Sequence, residues 1–93
     1  MIVRVSKPAK AELQAAVAFH GRQSQRAAER LHLAIERAID SLATFPNRGR
    51  IGSLPGTREL VVRGAPYIVA YAVTDDEVVV YRIRHTSQDP SPE

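Results

Sequence analysis

The chain has 93 residues, a formal net charge of +3, 44% hydrophobic residues and no cysteine. That length allows one compact domain, and the lack of cysteine excludes a disulfide framework or a thiolate metal site. With only His20, His32 and His85 as further soft ligands, no metal and no cofactor is expected. Eleven arginines and two lysines suit an anionic partner. No basic run interleaved with aromatics appears, however, so solvated surface charge is the first explanation and direct nucleic-acid contact the second.

The opening residues MIVRVSKPAK hold no apolar core of signal-peptide length, and nowhere do about 18 apolar residues run together. A cytoplasmic protein without a membrane span is therefore expected. Ile2 to Val5 reads as a short strand. Ser6 is a good N-cap, and Pro8 falls in the first helical turn, where its missing N–H costs nothing. A first helix from about Lys7 to Arg22 follows, with Leu13, Ala16, Val17 and His20 at three- and four-residue spacing and Gly21 weakening its end. Ser24 caps a second helix. There Ala28, Leu31, Ile35, Ile39 and Leu42 form one apolar stripe, Arg26, Arg30, Arg37 and Asp40 lie on another face, and Phe45-Pro46 stops the helix. Only a residue or two joins the helices, so they form an antiparallel hairpin whose stripes need a sheet to cover them.

Asn47 to Gly56, with three glycines and a proline and no periodicity, is long for a connection. A functional loop and a plain crossover from helix to sheet weigh about equally for it. Strands then read as Thr57 to Arg63, Pro66 to Val73 and Val78 to Arg84, with turns at Gly64-Ala65 and Asp75-Asp76. The pattern predicts an α+β domain over residues 1–85: a helical hairpin on one face of a small antiparallel sheet, in the order β-α-α-β-β-β, with the first strand joining the sheet. Residues 86–93 form a polar tail, in which disorder is expected over a further strand.

Alternation places Tyr67, Val69, Tyr71 and Val73 with Val79, Tyr81 and Ile83 against the helices. The opposite face then carries Arg58, Leu60, Ile68, Ala70, Ala72, Val80, Arg82 and Arg84, a mixed basic and apolar surface of the kind that marks a protein contact. A two-residue turn at Asp75-Asp76 would set Arg82 and Arg84 beside Tyr67 and Val69. A three-residue loop that includes Glu77 segregates the arginines, and is chosen because it buries fewer of them. His85 follows Arg84, and histidine titrates near neutral pH, so it is a candidate general acid or base. No second histidine or carboxylate can be set beside it from the sequence, and a non-catalytic His85 is the more usual case. His20 and His32, both on helices, read as surface or boundary residues.

In this order, FP-x-x-GR-x-G-x-x-PGTREL, PY-x-x-x-Y-x-V and V-x-x-x-R-I-x-H resemble the toxins of the RelE/ParE superfamily, the small toxic half of bacterial type II toxin–antitoxin pairs. The resemblance spans the first strand to His85 and implies the same β-α-α-β-β-β fold. Members resembling RelE cut messenger RNA on the ribosome with basic residues on the open sheet face and near the C-terminus. Members resembling ParE poison DNA gyrase by binding it. If this chain were a nuclease, the resemblance would assign Arg58, Arg82, Arg84 and His85 to catalysis. It departs from the RelE pattern at Ile68, which follows Tyr67 where an arginine is common, at Leu60, and at Thr86, Ser87 and Gln88 after His85. An apolar sheet centre is a poor place to stabilise a phosphorane-like charge, and the PGTREL form leans toward ParE. The implied function is a non-enzymatic gyrase inhibitor neutralised by a ParD-like antitoxin. The antitoxin's C-terminal segment would cover the open sheet face or the groove between sheet and helices, with Arg58, Leu60, Ile68, Ala70, Arg82 and Arg84 as contacts. DNA would be bound only through the antitoxin. A nontoxic member of the family is the remaining alternative.

Overall fold

The computed structural model describes residues 1–88. The strand β1 (Ile2–Val5) leads into helix α1 (Lys7–Gly21), where the Ser6 hydroxyl accepts from the Ala9 amide at 3.2 Å, and Ser24 caps α2 (Gln25–Ser41) in the same way through Ala27. Every member of the expected α2 stripe, Ala28, Leu31, Ile35, Ile39 and Leu42, is buried. Each large aliphatic among them contributes roughly 1.5–3 kcal/mol by leaving water. Ala9 and Ala16 are buried on α1, whereas Leu13 and Val17 are only half-buried.

The sheet holds five strands in the order β1-β5-β4-β3-β2. They are β2 (Arg50–Ile51), β3 (Thr57–Val61), β4 (Tyr67–Val73) and β5 (Glu77–His85) in addition to β1. Two features differ from expectation. The loop after α2 contains the short strand β2, paired antiparallel to β3. The sheet is also mixed rather than antiparallel, because β1 runs parallel to β5, as the long helical connection after it permits. After β5, Thr86–Gln88 makes one turn of 3-10 helix. Disorder had been expected of the tail, and at Ser87 and Gln88 that expectation is corrected by this turn, which His85 holds through the Ser87 amide and the Gln88 side chain; the remainder, 89–93, lies outside the described residues.

The β4–β5 register reconciles two alternatives. Thr74 N donates to Glu77 O at 2.9 Å, and the Thr74 hydroxyl accepts from the amides of Asp76 and Glu77, so the connection is the two-residue turn. That register holds through Tyr71 opposite Val80. It then shifts, and Ala70 faces Arg82 while Val69 faces Ile83. Tyr81 is the extra residue of a β-bulge. The arginines are therefore segregated as expected, but by a bulge rather than by a longer turn.

The bulge corrects the face assignments. Val78, Val80 and Ile83 all join the core with Tyr67, Val69 and Tyr71, while Val79 and Tyr81, expected there, stay half-buried outside it. Leu60, opposite Val69, is also a core residue. Arg58, opposite Tyr71, lies on the same helix side, where its guanidinium donates to the carbonyls of Asn47 (3.2 Å) and Gly49 (2.8 Å). Both had been expected on the open face.

The fully buried Tyr71 hydroxyl accepts from the Gly49 amide at 2.9 Å, pinning the loop that enters β2. A Cβ at Gly49 would meet that oxygen at 2.7 Å and the Glu59 carbonyl oxygen at 2.9 Å, which is why this position takes glycine. Tyr71→Phe leaves the Gly49 N–H without its buried partner and is expected to lower stability by about 1–3 kcal/mol. Urea unfolding of the two proteins measures it.

Candidate functional site

The open face of the sheet is built around one carboxylate. Glu59, opposite Ala70 and Arg50, receives Arg84 Nη2 on Oε2 at 3.0 Å and Arg50 Nη2 on Oε1 at 2.9 Å, with Arg50 Nε on the same oxygen at 3.2 Å. The side chains of Glu59 and Arg84 are only 12% and 9% exposed. Burial pushes the Glu59 carboxyl up, but the hydrogen bonds and charges of Arg84 and Arg50 outweigh it and hold the group below the usual carboxylate range.

Further out, Arg82 Nε lies 3.3 Å from Glu12 Oε2 on α1, and Glu12 Oε1 accepts from the Ile83 amide at 2.8 Å. On β1, Arg4 forms a two-point pair with Glu77 at 2.8 and 3.2 Å. The arginines of the open sheet face are thus tied to carboxylates of the same chain. Ile68 and Ala70 do lie on this face, as the sequence indicated, but at 1% and 0% exposure they offer almost no apolar surface.

His85 is not part of that group. It sits opposite Tyr67, on the helix side of the sheet, with ring centroids 5.2 Å apart. Its Nδ1 accepts from the Ser87 amide at 3.0 Å and lies 2.8 Å from the Ser87 hydroxyl. The Tyr67 hydroxyl is in turn 3.4 Å from His20 Nε2, and burial pushes the Tyr67 phenol up. The four candidate nuclease residues are therefore split: Arg82 and Arg84 lie on one face, Arg58 and His85 on the other. An acid–base pair and a cation cradle for a phosphate need to converge on one point.

The groove between sheet and helices, which the resemblance offered as an alternative to the open face, has a lining that was missed in the sequence. Between α2 and the end of β3 runs a groove of about 500 Å³, lined by Arg30, Arg37, Arg48 and Arg63 together with Leu33, Ala34, Ala38, Leu60 and Val61. The signal lay in Arg30 and Arg37, two turns apart on α2, but the contributions of Arg48 and Arg63 depend on the tertiary fold. The part played by Glu59 was legible in principle, since it alternates with Arg58 and Leu60 and so must face the other way.

Two helices laid on one side of a sheet, with a β1 strand parallel to the last long strand, define the small toxin fold shared by RelE and ParE proteins. The model of the ParE toxin of type II toxin–antitoxin systems matches residues 3–90, and the chain belongs to that family. It is 42% identical over 78 residues to Toxin RelE2 of Caulobacter vibrioides, covering 84% of this chain and 86% of that protein. Among solved structures it superposes on the chromosomal ParDE system from P. aeruginosa with a TM-score of 0.82 at 22% identity, covering 91% of this chain and 95% of that one. Against isolated E. coli RelE the TM-score is 0.63 at 13% identity, covering 96% and 87%.

Because Glu59 titrates lower in the folded than in the unfolded chain, its contribution is fully present above the ordinary carboxylate pKa, about 4.3, and is lost as pH falls through the folded value. Glu59→Gln is expected to cost about 2–3 kcal/mol at pH 7, with the deficit relative to wild type shrinking below about pH 4.5. Thermal unfolding of both proteins across pH 3–7 measures it.

Proposed function

We propose that this toxin acts by binding DNA gyrase, so that cleaved DNA complexes persist and replication stops, and that it performs no chemistry itself. The observation that supports this reading is the engagement of the open-face arginines with Glu59, Glu12 and Glu77, together with the placement of His85 on the opposite side. Cleavage of RNA by its 2′-hydroxyl needs cations available to the phosphate and an acid and base on either side of it. Here the guanidinium groups of Arg4, Arg50, Arg82 and Arg84 are each already paired with a carboxylate of the same chain. The similarity to the ParDE structure agrees with this reading.

A ParD-like antitoxin is the proposed neutralising partner, and it supplies the DNA binding for the pair. Its segment covers the open face at Arg82 and Arg84 over the buried Ile68 and Ala70, and meets Leu60 from the groove side. Arg58 is engaged in holding the loop carbonyls and acts in binding only by shaping that loop. Action on gyrase places the protein in the cytoplasm.

The RelE2 relative favours a second reading, ribosome-dependent messenger RNA cleavage, and one pair of assays separates the two. With gyrase from the same organism, supercoiled plasmid and ATP, the purified protein is expected to accumulate linear plasmid, and the antitoxin to suppress it. In a translating extract, messenger RNA is expected to stay intact. Cut messenger RNA with no effect on gyrase would reverse the assignment.

A further inference from the structure

Two populations of arginine differ in their surroundings. Those of the open sheet face are ion-paired, whereas Arg26, Arg30, Arg37, Arg48 and Arg63 form no ion pair among the described residues, and all five are exposed. Arg30, Arg37, Arg48 and Arg63 line the groove between α2 and β3, and no Asp or Glu among the described residues lines it. Arg26 extends the row, because Arg26, Arg30 and Arg37 follow at four- and seven-residue spacing on one stripe of α2. The acids of that helix stand aside. Glu29 and Glu36 are each turned by about 100° from the neighbouring arginine, Glu36 faces His32 at 3.3 Å, and Asp40 stays outside the groove lining.

The shape of this array selects its ligand. From Arg26 to Arg37 the row runs about 16 Å along α2, which spreads the charge along a line rather than round one point. A single phosphate or carboxylate would meet one or two of these guanidinium groups and leave the others unmatched. A duplex carries one phosphate per about 3.4 Å of axis on each strand, so about five lie along the same length. Guanidinium forks suit their oxygens. Between the cations, Leu33 and Val61 remain 46% and 52% exposed, and the sugar C–H groups between successive phosphates fit there. A ribose 2′-hydroxyl would meet the same side chains without a hydrogen-bond partner, which favours DNA over RNA.

We infer that Arg26, Arg30, Arg37, Arg48 and Arg63 form a sequence-independent binding surface for the backbone of duplex DNA, so that the free toxin contacts DNA directly. This contact is separate from the DNA binding that the antitoxin supplies to the pair. The two states exclude each other, because Leu60, which the antitoxin is proposed to meet, lines the same groove. The use of the surface, holding the DNA of the gyrase complex, rests on the gyrase reading; the site itself does not.

The probe is a sixteen-base-pair DNA duplex of mixed sequence, titrated into the isotope-labelled full chain without gyrase or antitoxin. Amide signals of α2 between Arg26 and Ala38 and of Val61 to Gly64 are expected to shift. The logarithm of the affinity is expected to fall against that of the salt concentration with a slope of about −4.5, the value for five phosphate contacts. Arg30→Gln with Arg37→Gln is expected to weaken binding at least tenfold at low salt and to reduce the slope by about 2. Lys7→Gln with Lys10→Gln removes the same charge from α1 and is expected to change the affinity less than threefold. Duplex RNA of the same sequence and polyglutamate are each expected to bind at least threefold more weakly than the DNA. No binding at low salt, shifts confined to the open face, equal losses in the two double variants, or equal binding of RNA or polyglutamate would overturn the inference. The gyrase assay keeps the two readings apart. Wild type that binds the duplex but leaves gyrase unaffected sinks the gyrase reading and keeps the DNA surface, whereas a toxin that poisons gyrase without binding the duplex does the reverse.

Discussion

One extra residue in β5 governs the molecule. Without the bulge at Tyr81, the two-residue turn closed by Thr74 would continue its register down the whole β4–β5 ladder and put Arg82 and Arg84 among Val69 and Tyr67. Unpaired arginines in that core would carry a desolvation cost of several kcal/mol each. The bulge lets a tight turn and a clean separation of charge coexist. It also brings Val78, Val80 and Ile83 onto one face despite their unequal spacing. Both the apolar support for the helices and the polar character of the open side follow from it.

On the open side, a single carboxylate then decides what the arginines can do. Glu59 holds Arg84 and Arg50 over the buried Ile68 and Ala70. A surface that composition alone would rank as a cationic platform is thereby largely neutralised within the chain. Four further arginines, Arg30, Arg37, Arg48 and Arg63, without ion pairs among the described residues, gather instead at the groove between α2 and β3. The charge available to a partner has in effect been moved from the flat of the sheet to its edge, beside exposed apolar side chains.

Much of this was legible in the sequence. The helix caps at Ser6 and Ser24 and the α2 stripe from Ala28 to Leu42 are local features, set by hydrogen bonding and the 3.6-residue period, and they appear where expected. The strand faces were legible only as far as strict alternation holds. Arg58 and Leu60 were misplaced because register is set by pairing partners rather than by the strand itself, and Val79, Val80 and Tyr81 because a bulge leaves no mark in composition. β2 escaped notice as two residues amid glycines. The Glu12–Arg82 and Arg84–Glu59 pairs join residues 70 and 25 positions apart, and only the folded chain brings them together.

Glu12 does more than pair with Arg82. Ser6 N bonds to Val80 O as the chain leaves β1, so β5 loses its neighbour there, and Ile83 would present a bare amide on an unpaired edge. The Glu12 carboxylate fills it from α1. Exposed edges of this kind recruit strands from other molecules, and a charge leaning over the edge is a known deterrent. The consequence concerns self-association: this border of the sheet is closed to a second copy by an acidic gatekeeper on a helix. A toxin released from its partner therefore carries protection against stacking through β5 in its own first helix.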